Sequence, residues 1–234
     1  MQAIENNKYL IIEGAKQLGY PISAKEASQF LSYLKILKHW NSRINLTAIQ
    51  DDRGIIIRHF LDSLAGLTAL PVEKPTSPRN VSLEISYRLM DVGTGAGFPG
   101  LPLKICRPQI LLALVEPKKK KAAFLHSICG QLGLKGVNIL TQLLETIVQQ
   151  AQHQGAYDFV ISRALRPLKL LGPASSLLRP GGRVVLWTSQ RNESLLEEIK
   201  DLPGWGQPEA ISYQLPFEDL ERNLILLVKP KNSL

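Results

Sequence analysis

The chain has 234 residues, 44% hydrophobic and 21% charged, enough for one full-sized domain with an extension and too apolar for a disordered chain. No stretch approaches the roughly 18 consecutive apolar residues of a membrane span, and the longest apolar runs, Ile110–Val115 and Leu224–Val228, have the length of buried strands. The net charge of +8 is uneven: residues 101–191 carry 13 basic and three acidic side chains, and residues 192–234 carry four basic and eight acidic ones.

The first 70 residues read as helical. Ser23-Ala24-Lys25-Glu26 is a capping box, in which Ser23 caps the first turn and Glu26 reaches back. Phe30, Leu34, Leu37 and Trp40 then recur on one helical face, and a second amphipathic stretch runs from Ile55 to Leu70. Leu70–Ser86, with three prolines, reads as a linker. The expected division is therefore a helical extension and linker over residues 1–80, packed on a core over residues 81–234.

From Arg88 the pattern alternates. Expected strands are Arg88–Val92, Ile110–Glu116, Val137–Leu140, Tyr157–Ser162 and Arg183–Trp187. Between them lie helices at Pro99–Cys106, Lys118–Gly133 and Pro167–Leu178, the last stopping at Pro180-Gly181-Gly182, and a helical turn near Leu143–Gln150. Two late strands, Ile211–Leu215 and Asn223–Val228, can form an antiparallel hairpin. Repeated strand–helix units give an α/β fold: a mostly parallel, doubly wound sheet of seven strands with helices on both faces. Ligands of such sheets sit beyond the C-terminal strand ends.

At the end of the first strand stands Asp91-Val92-Gly93-Thr94-Gly95-Ala96-Gly97-Phe98-Pro99-Gly100. Glycines there permit a sharp turn and close approach of backbone to ligand. Glu116 follows Gly93 by 23 residues and ends the second strand, where an acid binds an adenosine ribose. Gly95, Gly97 and Gly100 satisfy a dinucleotide spacing. Asp91 opposes that reading, because a carboxylate beneath the turn repels a pyrophosphate and attracts the sulfonium and ammonium of S-adenosylmethionine.

Methyl transfer mainly needs positioning of the nucleophile. After the fourth strand the chain reads Ser162-Arg163-Ala164-Leu165-Arg166-Pro167 rather than the Asn/Asp-Pro-Pro-aromatic clamp of exocyclic-amine methylation. Cys106 and Cys129 fall within helices, away from strand ends, so neither suits a nucleophile for ring-carbon methylation. A guanine N7, which has a free lone pair and no proton to lose, is consistent with this set. A methyltransferase on a small-molecule or protein acceptor, and a nicotinamide oxidoreductase, stay open on the residues alone.

Four segments in order, Trp40–Thr47, Arg58-His59-Phe60-Leu61-Asp62-Ser63, Asp91–Gly100 and Tyr157–Leu168, give the chain a specific resemblance. It resembles the ribosomal RNA small subunit methyltransferase G family, also called glucose-inhibited division protein B. The resemblance implies a Rossmann-like class I methyltransferase fold and methylation of one guanine N7 of 16S rRNA from S-adenosylmethionine. It also implies that Gly93, Phe98, Leu144, Glu145 and Arg163 lie against the donor. Asp91, Gly95 and Glu116 complete the expected donor set. The family's frequent Lys-Gly after the fifth strand is replaced here by Thr188-Ser189.

No catalytic acid or base is expected; Arg163 and His59 are candidates for positioning. His59 and Asp62, one turn apart, serve either substrate positioning or a packing network joining extension to core. Asn41, Asn45 and Thr47 have the same two readings, with the structural one favoured. Lys118, Lys119, Lys120 and Lys121 open a helix against its dipole, which favours a phosphate partner, with Arg166 and the neighbouring Lys104 and Arg107 adding charge. The expected partner is small-subunit rRNA or a subunit particle. Two cysteines make neither a disulfide framework nor a metal site. Met1–Lys8 shows no signal-peptide pattern. A cytoplasmic monomer without metal or membrane partner is expected.

Overall fold

The computed structural model of the protein describes residues 2–71, 86–163, 166–189 and 193–231. Most of the expected linker, including the boundary at 80/81, lies outside them, as do Ala164 and Leu165.

Helix α1 spans Gln2–Gln17 and α2 spans Ala24–Asn41. The capping box forms as the sequence requires: the Glu26 N–H donates to Ser23 Oγ at 3.3 Å, and the Ser23 N–H donates to Glu26 Oε2 at 2.5 Å. Such a cap stabilises by about 1 kcal/mol. The face of α2 that carries Ala27, Phe30, Tyr33, Leu34 and Leu37 is buried. The second amphipathic stretch is helical but not a regular α-helix. It runs as α3 (Asp52–Ile55), a π-helical turn (Ile56–Leu61), α4 (Asp62–Leu64) and a 3-10 turn (Ala65–Ala69). The wider turn buries Ile56, Ile57, Phe60 and Leu61 together, and residues 58, 59 and 62 are left to meet the sheet edge.

The core then follows in the order β1 (Arg88–Val92), α5 (Gly100–Cys106), β2 (Leu111–Val115), α6 (Lys119–Gln131), β3 (Val137–Leu140), α7 (Leu144–Ile147), β4 (Tyr157–Ser162), α8 (Pro167–Leu177), β5 (Leu178–Ser189), α9 (Glu193–Ile199), β6 (Glu209–Gln214) and β7 (Glu221–Val228). The sheet order is β3-β2-β1-β4-β5-β7-β6. The first five strands pair in parallel, and β7 pairs antiparallel with both β5 and β6.

One boundary departs from expectation. Pro180-Gly181-Gly182 lies inside β5 instead of closing a helix, because Leu178 already pairs with Tyr157 and the Gly181 and Gly182 backbones bond Lys229. The register shifts across this stretch.

Strand residues alternate between two cores. Leu89, Leu112, Leu114, Phe159, Ile161, Val185 and Leu224 face α1, α2, the π turn, α5 and α6. Met90, Val92, Ala113, Val160, Val184, Leu186 and Ile225 face α7, α8 and α9. Burial on both faces is why these strands read as continuous apolar runs. Cys106 and Cys129 are free, buried helix residues whose thiols burial pushes up, the latter to about 11. No helix among the described residues is long and apolar enough to cross a membrane.

Candidate active site

Successive connections leave β1 toward β2 and β3 on one side and reach β4 and β5 on the other, so the switch point of the sheet lies between β1 and β4. The glycine turn sits at that point. Gly93, Gly95 and Gly97 have φ of 73°, 60° and 92°. A Cβ on Gly97 would lie 2.5 Å from the Tyr33 hydroxyl, and one on Gly100 would lie 2.8 Å from Asp91 Oδ2. Both positions therefore need glycine for space.

Asp91 is fully buried beneath this turn. Its Oδ2 accepts from Thr94 Oγ1 at 2.7 Å and from the Gly100 N–H at 2.8 Å. Its Oδ1 has no hydrogen-bond partner among the described residues. Burial pushes the carboxyl up to about 6, against the pull of those two hydrogen bonds and of Arg163. Glu116, also buried, accepts from the Lys118 N–H at 2.9 Å through one oxygen. A buried carboxylate with an unused oxygen, and a second acid at the end of β2, fit an adenosine-bearing cation and do not fit a pyrophosphate.

Leu144 and Glu145 open α7 just after β3; Leu144 is buried and Glu145 exposed. Lys118, Lys119 and Lys120 are exposed at the start of α6, and half-buried Lys121 brings its ammonium to 3.9 Å from where a Gly95 Cβ would stand. Arg166 is exposed at the N-cap of α8.

Lys104 does not join this basic surface. It is buried on α5, and its ammonium donates to the carbonyls of Pro108 and Ile110, which precede β2 at the opposite, N-terminal ends of the parallel strands. Arg107 lies at that same end. Adjacency in sequence failed as a guide because α5 carries the chain across the full depth of the sheet.

The helical segment meets the turn through a joined set of side chains. Phe98 is buried, its ring stacking on Tyr33 at 5.4 Å and on His59 at 4.7 Å, with the Arg163 guanidinium 5.4 Å from its centroid. Arg163 donates to His59 Nδ1 at 2.9 Å, to Asp62 Oδ2 at 3.1 Å and to the Arg58 carbonyl at 3.1 Å. Arg163 therefore takes the lone pair of Nδ1, so the proton of neutral His59 rests on Nε2, which donates to Thr47 Oγ1 at 2.6 Å. Burial and the Arg163 charge hold His59 down to about 3. Asp62 Oδ1 accepts from the Tyr213 hydroxyl at 2.7 Å, and the Asp62 carbonyl accepts from Trp187 Nε1 at 2.8 Å. His59 and Asp62 thus make the joining network. Asn41 bonds the Leu46 and Thr47 backbone.

Beside this network opens a cleft of about 460 Å³, lined by Ile49, Arg58, His59, Asp62, Arg163, Trp187, Thr188 and Arg222. Arg222 Nε is buried there without a hydrogen-bond partner among the described residues. The sequence reading missed Tyr33, Tyr213 and Arg222. Tyr33 stands three residues after Phe30 on the same helical face, so spacing alone could have found it. Arg222 opens an apolar strand, and only the antiparallel pairing of Thr188 with Asn223 and Ser189 with Arg222 brings it to the cleft.

Residues 26–215 match the family described as rRNA small subunit methyltransferase G. A ribosomal RNA small subunit methyltransferase G from Pelotomaculum thermopropionicum is 37% identical over 226 residues, 94% of this chain and 89% of that protein. Another from a Roseiflexus species is 41% identical over 177 residues, 75% and 70% of the respective chains. The crystal structure of a predicted O-methyltransferase from Agrobacterium tumefaciens shares the fold, with a TM-score of 0.53 at 19% identity over 64% of this chain and 76% of that one. With its seven-stranded Rossmann-like sheet, its glycine turn and this match over most of its length, the chain belongs to the rRNA small subunit methyltransferase G family.

Proposed function

We propose that the protein methylates guanine N7 of 16S rRNA with S-adenosylmethionine as donor. The observation that carries this reading is the pairing of two unlike halves at one strand edge: buried acids Asp91 and Glu116 beneath the glycine turn, and an arginine-lined cleft beside it. The donor supplies an electrophilic methyl group on a sulfonium. Guanine N7 forms the new N–C bond with its lone pair, the C–S bond breaks, and the positive charge passes to the purine. No proton leaves, so no general base is required. His59 matches that demand, since its only lone pair is taken by Arg163.

The chain's contribution is alignment. Gly93, Gly95, Phe98, Leu144, Glu145 and Arg163 form the donor side, and the Glu116 carboxylate is placed for a ribose diol. Asp91 in its ionised form favours a cationic ligand. Arg163 is the positioning residue between the two halves, with His59 and Asp62 fixing its guanidinium. Lys118, Lys119, Lys120, Lys121 and Arg166 hold phosphates of the RNA. The helical segment before the linker acts as an extension of the methyltransferase core, and the protein works as a cytoplasmic monomer on rRNA or a subunit particle.

The test is transfer of tritium from labelled S-adenosylmethionine to small subunits lacking their native N7 methylation, with mapping of the modified base. Label at one guanine N7 is the expected result. Label on another base, or on protein, would overturn the reading.

A further inference from the structure

The glycine turn is held both from within and from the helical segment. Within it, Gly97 and Phe98 N–H groups bond the Thr94 carbonyl, and the Gly93 and Thr94 N–H groups bond Val115. The peptide joining Ala96 to Gly97 therefore has its N–H tied inside the turn. Its carbonyl is buried and points the other way, where the hydroxyl of fully buried Tyr33 on α2 donates to it at 2.5 Å. The Tyr33 ring is itself fixed, lying nearly parallel to Phe98, with an interplanar angle of 11°, and 5.1 Å from Phe60. Burial holds the hydroxyl well above the usual tyrosine range, so it stays a donor.

We propose that Tyr33 is a positioning residue for the methyl donor: its hydroxyl sets the Ala96–Gly97 peptide, so the helical segment completes the donor site that the α/β core begins. The inference rests on the reading of the glycine turn as the donor site. With Phe in place of Tyr33 the Ala96 carbonyl keeps its burial and loses its donor. That peptide, next to Gly97 at φ 92°, is then held only by its N–H bond to the Thr94 carbonyl and can tilt about it. The effect belongs to donor binding rather than to the chemical step, since the Tyr33 hydroxyl bonds the turn and Tyr33 does not line the cleft.

The test is calorimetric titration of S-adenosylhomocysteine into wild-type protein, Tyr33→Phe and Leu37→Ala. Leu37 is fully buried one turn further along α2, and its truncation loosens the same helix without touching the turn. The expected result is affinity about 10-fold weaker in Tyr33→Phe, from one unsatisfied buried carbonyl, and wild-type affinity in Leu37→Ala. In turnover assays, Tyr33→Phe raises the donor KM by a similar factor and leaves kcat at saturating donor within about 2-fold. Wild-type affinity in Tyr33→Phe, or equal weakening in Leu37→Ala, would overturn the inference and leave the donor site intact. Failure of the wild-type protein to bind would overturn the donor reading itself.

Discussion

Asp62, in the helical segment, and Asp91, at the end of β1, are both buried carboxylates, and they have opposite surroundings. Both oxygens of Asp62 are engaged, by Arg163 and Tyr213, and its carbonyl takes Trp187 Nε1. Asp91 keeps one oxygen unpartnered among the described residues, and its carboxyl is pushed up to about 6. A buried charge that is fully paired belongs to the architecture. One that is left incomplete in the protein alone is an unfavourable arrangement that a cationic ligand relieves.

The comparison breaks most readily at Asp62. Asp62→Ala strands the Arg163 charge and the Tyr213 hydroxyl, and should cost about 3–5 kcal/mol in urea unfolding. If the cost is below 1 kcal/mol, Asp62 is not the joint described here. Asp91→Asn should do the reverse. Removing the unfavourable buried charge should leave stability at pH 7 unchanged or raised by up to about 3 kcal/mol, while S-adenosylmethionine binds about 10-fold more weakly. A variant that lost both stability and affinity would place Asp91 with Asp62.

The pH dependence sharpens the same contrast. The folded-state carboxyl of Asp91 lies above its ordinary value of 3.8, so the native state binds its proton more tightly than the unfolded chain does. The stability cost of its charge is full above pH of about 6 and is relieved as pH falls toward 4. Donor affinity should move oppositely, falling by up to about 10-fold per unit below pH of about 6, and the fall should vanish in Asp91→Asn. Smallest in stability should be the triple variant of Lys118, Lys119 and Lys120 to Ala, within about 0.5 kcal/mol of wild type. These lysines stay in water, so their loss should appear only as weaker RNA binding with a shallower salt dependence, read by filter binding across a salt series.

What was legible in the sequence was what local chemistry specifies. The cap at Ser23 and Glu26, the glycine turn and the two-sided apolar strands each declare themselves within about ten residues. The π turn at Ile56–Leu61 was not legible, because its apolar pairs fit an ordinary helical period nearly as well. The long start of β5 was hidden by Pro180-Gly181-Gly182, a strong stop signal overridden by pairing with Lys229. At the site, Asp91 and Glu116 could be placed from strand ends alone, and Arg163 from the family resemblance. Arg222 and Tyr213 could not, since both depend on β7 running antiparallel between β5 and β6. Lys104 shows the converse error, a charge assigned to a surface by sequence neighbours and withdrawn by two backbone carbonyls.

The contacts that seat the helical segment span much of the chain: Asp62 to Trp187 and Tyr213, Arg53 to the Phe217 carbonyl, and Arg58 to Glu218. During synthesis the amino-terminal third therefore emerges long before its partners. Until residue 213 has cleared the exit tunnel, Asp62 is without its tyrosine. The cleft likewise has no Arg222 until nine residues later. A growing chain therefore lacks part of the joining network and of the cleft until the strands that carry Tyr213 and Arg222 have emerged.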